Sequence, residues 1–559
     1  MRRLLAVAIS VVGIAPCSVP AQAPPRPIES VEVRFDEARY WADQLSVTRS
    51  RAVERSIHGV SMADLEREYA AALARLDSSL ARLDSSLAQP GAARLAGDDA
   101  RAERAIRAWR RRAPRGDGTS TAEAGDPVAP GCRPPAAADS TVDGLEAAIF
   151  ACYSVAAGSI VVGADTLDRL SILSRLGTTD DRTRREALFR ALDQVWSSVN
   201  DHDEPDAPYR RLVTLRMARW AGGPTPMARR GQAYGLSAAA VEGWLVQALE
   251  RWRRTLPDST FEPWDYYHFV GRADRRLEPR IPRDSLLALN HRFYRALGAD
   301  PDAIGVRYDI EPRPGKYPIA FTDFGARAVE RDGRWERAEP WVFASYRIGG
   351  FGNLNELLHE TGHAVHIAAI RTRPAFHDWP DSDTFTEGIA DLATLEMFEP
   401  AWQQAYLGDS VPLAESIRAK YAGIMLDMAW ALFEFRVHRP GAPSPNRVWT
   451  DITSRYLRIR PHPELSWWAM RGQLIESPGY MLNYALGAFL VADLRAALAR
   501  RHGAIGVGRS NWYRQVSEEV FRFGAAVPAA LVLRRVLGRP PSPRALVADL
   551  ARVRTPGRP

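Results

Sequence analysis

The chain has few cysteines and almost no lysine. Three cysteines in 559 residues exclude a scaffold held together by many disulfide bonds. Lysine occurs only at Lys316 and Lys420, so arginine supplies nearly all of the 74 basic side chains, and the net charge is +7. A nucleic-acid-binding protein usually clusters its basic residues, whereas most of these arginines are interspersed with Asp and Glu. We therefore expect no nucleic-acid partner.

The densest basic run comprises Arg107, Arg110, Arg111, Arg112 and Arg115. We interpret it as the solvated end of a helix rather than as a nucleic-acid-binding patch. Hydrophobic residues make up 46% of the chain, which excludes a wholly disordered protein and provides enough apolar surface for a large core.

The N-terminus has the pattern of a secretory signal. Two arginines follow Met1, an apolar run covers 4–15, and V-P-A at 19–21 provides small residues for cleavage. This pattern predicts a signal peptide over 1–21 and a secreted or periplasmic protein. A lipid anchor at Cys17 is the weaker alternative, because a proline precedes that cysteine. No later run is long and apolar enough for a membrane span, so we expect no stable membrane insertion after cleavage.

Cleavage of this signal would remove Cys17 and leave Cys132 and Cys152. Two thiols this close in sequence could pair in an oxidising compartment. Their spacing gives no distance between the side chains, so both the paired and the unpaired state stay open.

Helical periodicity dominates the chain downstream of the signal. Residues 24–46 have no clear periodicity, whereas 47–112 have a helical pattern. β-rich segments at 306–310, 319–321 and 341–346 are the exception. We therefore predict a mainly α protein with a small antiparallel β-sheet. The predicted regions are a signal peptide (1–21), an N-terminal helical region (22–140) ending in a flexible linker (113–140), a helical lobe (141–300) and a catalytic region (301–559).

The most informative segment is H-E-T-G-H at 359–363, an H-E-x-x-H pattern on a predicted helix. Residues four apart lie on one face of a helix, so His359 and His363 can hold one zinc ion. Glu360, next to the first histidine, can reach a water molecule at the metal and act as general base. A pattern this short also arises by chance. A further ligand elsewhere in the chain would therefore support the interpretation as a zinc site.

A catalytic zinc site needs a third protein ligand and an open fourth position. Glu387 lies on a second predicted helix, after a loop. Asp391, one turn beyond Glu387, can accept a hydrogen bond from the outer nitrogen of a ligating histidine and so orient its ring. We therefore predict that His359, His363 and Glu387 bind one Zn²⁺ per chain and that Asp391 orients one of the histidines.

These residues resemble the gluzincin peptidases, most closely the thimet oligopeptidase and oligopeptidase F family. H-E-T-G-H-A-V-H at 359–366 resembles that family's H-E-x-G-H-A-x-H, in which we expect a structural role for His366. E-G-I-A-D at 387–391 departs from the family's E-x-P-S-Q and is similar to the angiotensin-converting-enzyme family. Three further matches to the oligopeptidase family are P-W-D-Y-Y at 263–267, R-P-G-K-Y at 313–317 and G-Y-M-L-N-Y at 479–484.

The resemblance implies a two-lobed helical bowl around a deep substrate channel, with zinc on its floor. It also implies that Tyr480 or Tyr484, or both, donate hydrogen bonds to the oxyanion of a peptide under attack. The segment 341–346 could present a free strand edge to an extended peptide, and a plain turn into the helix is the alternative. Arg471 could bind a substrate carboxylate, and His462 could line the cleft.

The expected function is therefore that of a secreted zinc metallopeptidase acting on short peptides. Two alternatives stay open. One is a peptidyl-dipeptidase of the angiotensin-converting-enzyme type, which requires a free substrate C-terminus. The other is a non-catalytic peptide-binding protein on the same fold. The complete H-E-x-x-H pattern with Glu387 argues against this last alternative, because a binding protein has no use for groups that activate water.

Overall fold

A computed structural model describes the protein over residues 27–57, 62–89, 95–113, 141–312, 320–331 and 333–553. Cys152 is disulfide-bonded, and its partner lies outside these ranges. Several sequence predictions fall outside the described residues: the signal peptide, the possible lipid anchor at Cys17, Cys132, the linker beyond residue 113 and the R-P-G-K-Y segment at 313–317.

Helices form most of the described chain, which confirms the predicted mainly α class. In chain order the helices are α1 (Pro27–Ile57), α2 (Met62–Leu87), α3 (Gly97–Arg112), α4 (Val142–Gly158), α5 (Arg169–Thr178), α6 (Arg182–Ala191), α7 (Asp193–Asn200), α8 (Pro208–Arg219), α9 (Pro226–Gln232), α10 (Ala238–Arg253), α11 (Pro263–Val270), α12 (Arg272–Leu277), α13 (Leu286–Ala296), α14 (Pro301–Ile304), α15 (Phe351–Ala369), α16 (Asp383–Thr394), α17 (Pro400–Leu407), α18 (Leu413–Val437), α19 (Pro445–Leu457), α20 (Gln473–Glu476), α21 (Met481–His502), α22 (Trp512–Glu519), α23 (Ala529–Leu537) and α24 (Arg544–Leu550).

The strands are short and form small separate sheets. They are β1 (Ile160–Val162), β2 (Asp165–Leu167), β3 (Arg307–Asp309), β4 (Phe321–Ala326), β5 (Val329–Arg331), β6 (Arg334–Glu336) and β7 (Glu339–Phe343). β1 pairs with β2 and β5 pairs with β6, both antiparallel. The remaining three strands form a sheet in the order β3-β7-β4, which packs against α15. The predicted small sheet therefore lies beside the H-E-x-x-H helix.

The order of this sheet corrects one expectation. A free strand edge at 341–346 was one of the two possibilities left open, but β7 is the central strand, parallel to β3 and antiparallel to β4. Beyond β7 the backbone stays paired, because the N–H of Ala344 donates to the carbonyl of Asp309 at 2.9 Å and that of Tyr346 to Ile310 at 3.2 Å. β4 is the edge strand on the other side, so β7 has no free edge for a peptide.

The N-terminal helices form a second, smaller core. Residues 27–46 were predicted to be irregular, yet they belong to the long helix α1. Ile28, Val31, Phe35 and Ala38 are buried at helical spacing, whereas Val33 is 63% exposed, so the V-E-V-R-F alternation does not form a strand. α1, α2 and α3 share this core with two residues of the loop between α15 and α16, Ala375 and Phe376.

Two arginines of the basic run at the end of α3 form ion pairs within the chain. Arg107 lies 2.7 Å from Glu103, and Arg110 lies 2.7 Å from Asp84 on α2. The helix ends at Arg112, as the sequence predicted. Arg115 lies outside the described residues.

Among the described helices, α21 alone has the length and mean hydropathy of a membrane span, contrary to the expectation that no such run follows the signal. Its most apolar 18-residue window is 78% buried inside the protein. α21 packs against α16 and α18, so its apolar residues face other helices of the fold.

Candidate metal centre

Close packing between two helices brings the candidate ligands together. α15 carries the two histidines, and α16 carries Glu387. The helices approach so closely at Gly362 that a Cβ atom there would lie 2.2 Å from the carbonyl oxygen of Ala390. Because real Cβ atoms do not approach oxygen so closely, only glycine fits this position without a shift of the backbone. The glycine of H-E-T-G-H is thus what allows α16 to place its glutamate beside the histidines.

Close packing at glycines also joins α16 to α21. A Cβ at Gly388 would lie 3.0 Å from the carbonyl oxygen of Gly487, and a Cβ at Gly487 would lie 3.0 Å from that of Thr384. This contact sets the start of α21, with Tyr480 and Tyr484, beside the glutamate of α16.

The three predicted ligands converge. The Nε2 atom of His359 lies 3.6 Å from Oε2 of Glu387, and the Nε2 atom of His363 lies 4.0 Å from the same oxygen. The two imidazole rings are nearly perpendicular, with centroids 4.8 Å apart. Both nitrogen–oxygen distances exceed a hydrogen bond, so the three atoms surround a space instead of bonding to one another.

Asp391 contacts the first histidine from the second helix. The Nδ1 atom of His359 lies 2.8 Å from Oδ1 of Asp391. Because Nδ1 is bonded to this carboxylate, Nε2 is the nitrogen that faces the shared space, as in a histidine that binds a metal through Nε2.

The site attracts positive charge. Burial lowers the pKa of His359, but the carboxylates of Asp391, Glu387 and Glu360 outweigh burial and raise it well above its usual value. Burial raises the pKa of Glu387, and the two histidines reverse this and lower it. Burial, with the nearby His359, lowers the pKa of His363 to about 3, so this imidazole is neutral and free to coordinate.

The donor set fits a zinc ion. Its two nitrogens and one carboxylate oxygen are ligands that zinc prefers, and all three atoms lie within 4.8 Å of one another. Zinc–ligand bonds of about 2.1 Å allow separations up to about 4.2 Å, so the two measured nitrogen–oxygen distances fall within that limit. A bound zinc ion would require small side-chain movements, and these three ligands would leave a fourth position for solvent or substrate.

Glu360 lies on the same helix as the histidines and is buried. The hydroxyl of Thr322 on β4 lies 2.7 Å from Oε2 of Glu360 and 2.9 Å from its backbone oxygen. Burial raises the pKa of Glu360 to about 7. A carboxyl group with a pKa near neutrality can both accept and release a proton, as a general base must. The sequence did not single out Thr322, because only the pairing of β4 places it here.

Tyr480 and Tyr484 lie on the Glu387 side of the site. Their ring centroids are 5.6 Å apart. Burial and the carboxylate of Glu387 raise the pKa of both phenols, so both keep their protons. The Arg230 guanidinium lies over the Tyr480 ring at 5.7 Å. Protonated phenols in this position can donate hydrogen bonds to a group bound at the site.

Trp379 packs against two histidines of α15 and was not predicted. It lies in the loop before α16, and its ring centroid is 5.5 Å from His363 and 5.4 Å from His366. His366 is buried between this indole and Phe521, which agrees with the structural role expected for it. A lone tryptophan in a loop has no periodic context, so its position depends on tertiary packing.

Two weaker sequence candidates occupy different surroundings. His462 lies between two carboxylates, 2.7 Å from Glu262 and 2.7 Å from Glu464, so hydrogen bonds hold its ring. Arg471 contacts Asp427 at 2.5 Å and lies near Tyr484.

Comparison with known proteins leaves the family open. No family model matches the chain, and no curated protein does. The chain is similar to a solved structure, "The Structure of CHT", at 14% sequence identity and a TM-score of 0.53, over 95% of this chain and 100% of that one. At this identity the likeness concerns the fold alone.

Proposed function

We propose that the protein is a secreted zinc-dependent metallopeptidase that hydrolyses peptide bonds of short peptides. The observation that carries the proposal is the convergence of His359, His363 and Glu387 on one space, with Glu360 beside it. A zinc ion held there would supply a Lewis acid and would make a water molecule acidic enough to attack at neutral pH.

Side chains of the protein would carry out the proton transfers and stabilise the developing negative charge. The Glu360 carboxylate would accept a proton from the attacking water and deliver it to the departing amine. Its hydrogen bond from Thr322 fixes the carboxylate for both steps. Tyr480 and Tyr484 would donate hydrogen bonds to the carbonyl oxygen as negative charge develops on it.

The test compares the wild-type protein with Glu360→Gln, both assayed for bound zinc and for cleavage of an internally quenched peptide library. We expect about one zinc ion in each protein, because Glu360 is not a ligand. We expect cleavage to fall by about 10²- to 10⁴-fold in the variant, since a general base contributes that much. Removal of zinc with a chelator should abolish wild-type activity, and added zinc should restore it.

Two results would contradict the proposal. A wild-type protein that binds no zinc, even after zinc is added, has no metal centre of this kind. A wild-type protein that binds zinc but cleaves none of the peptides fits the non-catalytic peptide-binding alternative. The zinc content of the variant also reports whether its site is folded.

A peptidyl-dipeptidase activity is the second candidate, and the E-G-I-A-D segment at 387–391 favours it. Such an enzyme releases dipeptides and requires a free C-terminus. Continued cleavage of peptides with a blocked C-terminus would exclude it.

A further inference from the structure

The two candidate histidine ligands are fixed in different ways. The Nδ1 atom of His359 contacts Oδ1 of Asp391 at 2.8 Å. The Nδ1 atom of His363 is buried and has no hydrogen-bond partner among the described residues. A histidine that binds a metal usually donates its other ring N–H to an oxygen acceptor, which fixes the orientation of the ring. The orientation of His363 therefore depends on other contacts with the protein.

Aromatic packing provides these contacts. The His363 ring lies 5.5 Å from the Trp379 ring, with the planes at 70°, and 4.8 Å from the His359 ring, with the planes at 88°. Both are edge-to-face arrangements, which aromatic rings prefer to flat stacking. The terminal torsion of a histidine side chain is broad, so neighbouring rings are needed to select one orientation. In the selected orientation, Nε2 of His363 lies 4.0 Å from Oε2 of Glu387.

The Trp379 indole is itself packed between two elements. Phe324 of β4 lies 4.9 Å from it, with the planes at 63°, and His366 of α15 lies 5.4 Å from it. Phe324 is buried in a small apolar cluster that includes Ile367 and Ile370 of the α15 end. The indole is therefore held against both the sheet and the helix that carries His363.

The backbone at Trp379 is held from three further directions. Its N–H donates to Oδ1 of Asp378 at 2.9 Å. The Asp378 carboxylate pairs with Arg39 of α1 and lies 3.7 Å from Arg327, which follows β4. A Cβ at Gly524 would lie 2.8 Å from the carbonyl oxygen of Asp378, so the chain before α23 also packs closely here. A side chain locked by such packing can hold a neighbouring ligand in place.

We propose that Trp379 is a positioning residue of the candidate metal centre, whose indole fixes the His363 ring by packing as Asp391 fixes His359 by a hydrogen bond. The inference rests on the proposed zinc centre and names a further residue on which zinc affinity depends. Without the indole, the His363 ring is free to rotate. Zinc binding then has to order this ring, so the affinity falls.

The test measures the affinity of the full chain for zinc alone, by competition with a chromophoric chelator. We expect Trp379→Leu to weaken zinc binding about 10- to 100-fold, the usual effect of losing a group that orients a metal ligand. Trp379→Phe keeps an aromatic ring at this position and should recover most of the affinity.

Phe521→Leu is the matched control. Phe521 is buried and packs on His366 of α15 at 5.1 Å, and no ring contact joins it to His359 or His363 among the described residues. We expect this variant to lower the thermal midpoint of the metal-free protein, because a buried ring is lost. Its zinc affinity should stay at the wild-type value.

Wild-type zinc affinity in Trp379→Leu would overturn the inference and leave the metal centre in place. Equal losses in Trp379→Leu and Phe521→Leu, or no recovery in Trp379→Phe, would trace the loss to general destabilisation and would also overturn it. A wild-type protein that binds no zinc overturns the metal centre and this inference together.

Zinc binding is the readout, so the result holds whether or not the protein cleaves peptides. Far-UV circular dichroism of the metal-free proteins shows whether each variant is folded. Should Trp379→Leu fail to fold, Trp379→Met takes its place in the comparison, because its longer flexible side chain fills more of the space without providing a ring.

Discussion

Glu434 is a buried carboxyl group that supports the turn before Tyr480. It is 1% exposed, and its Oε1 atom accepts from the N–H of Gly479 at 2.5 Å. Its other oxygen has no hydrogen-bond partner among the described residues. Burial outweighs the Gly479 N–H and raises the pKa of Glu434 to about 7. The side chain is therefore neutral in the fold under mildly acidic conditions.

This group makes stability depend on pH. Because its folded pKa is about 7 and its ordinary value is 4.5, the folded state binds the proton more tightly, so stability falls as the pH rises between these values. Glu434→Gln keeps the oxygen acceptor and cannot ionise. We expect the variant to match the wild type in urea unfolding at pH 4 and to exceed it by up to about 3 kcal/mol at pH 8. An equal difference at both pH values would contradict this account.

Some residues of the candidate site were predicted from the sequence, and others were not. His359 and His363 were predicted from their i, i+4 spacing, and Asp391 from the same spacing to Glu387, because one-turn neighbours follow from helix geometry. Glu387 itself was predicted from its place on a second helix after the H-E-x-x-H segment. Thr322 and Trp379 were missed, since each reaches the site from a separate element. No local spacing reports such contacts.

At the scale of elements, the packing of α15 on α16 creates the centre. Gly362 is the point of closest approach between the two helices. The helices meet there without a side chain between them, and the ligands on both helices face one space.

Gly362→Ala tests this packing, with Gly352→Ala as the matched control on the same helix. A Cβ at Gly362 would lie 2.2 Å from the oxygen of Ala390, whereas a Cβ at Gly352 meets nothing within 4 Å. We expect Gly362→Ala to lower the thermal midpoint and weaken zinc binding, because α16 has to move away. Gly352→Ala should be neutral or stabilise by about 0.5–1 kcal/mol, since alanine favours helix. Unchanged zinc affinity in Gly362→Ala would refute the role of the contact.

At the scale of the whole molecule, ion pairs join the N-terminal helices to the loop between α15 and α16. Arg373, in this loop, forms a two-point contact with the buried Glu32 of α1, with both distances 2.8 Å. It also lies 2.7 Å from Asp99 of α3. Near Trp379, Arg39 of α1 pairs with Asp378. The N-terminal helices therefore hold the segment that leads into α16, which carries Glu387.

Arg373→Ala should loosen this attachment. The substitution leaves the buried Glu32 carboxylate without its ion-pair partner, which costs about 3–5 kcal/mol for a buried pair. We expect limited proteolysis to cut within 27–113 faster than in the wild type. Arg34→Ala removes an exposed contact with Glu37 at 3.6 Å, so its cleavage should stay at the wild-type rate. Similar rates in both variants would show that Arg373 does not hold the helices.

Local patterns account for the helical class, the H-E-x-x-H helix and the Glu387–Asp391 turn, because helix periodicity and i, i+4 spacing depend on neighbours in the chain. Long-range packing accounts for the rest. The central place of β7, the helical state of 27–46 and the contact of Thr322 with Glu360 each depend on partners many residues away. The local sequence of these segments is compatible with a strand, a turn or irregular chain. Only burial against distant partners in the folded core decides which of these forms.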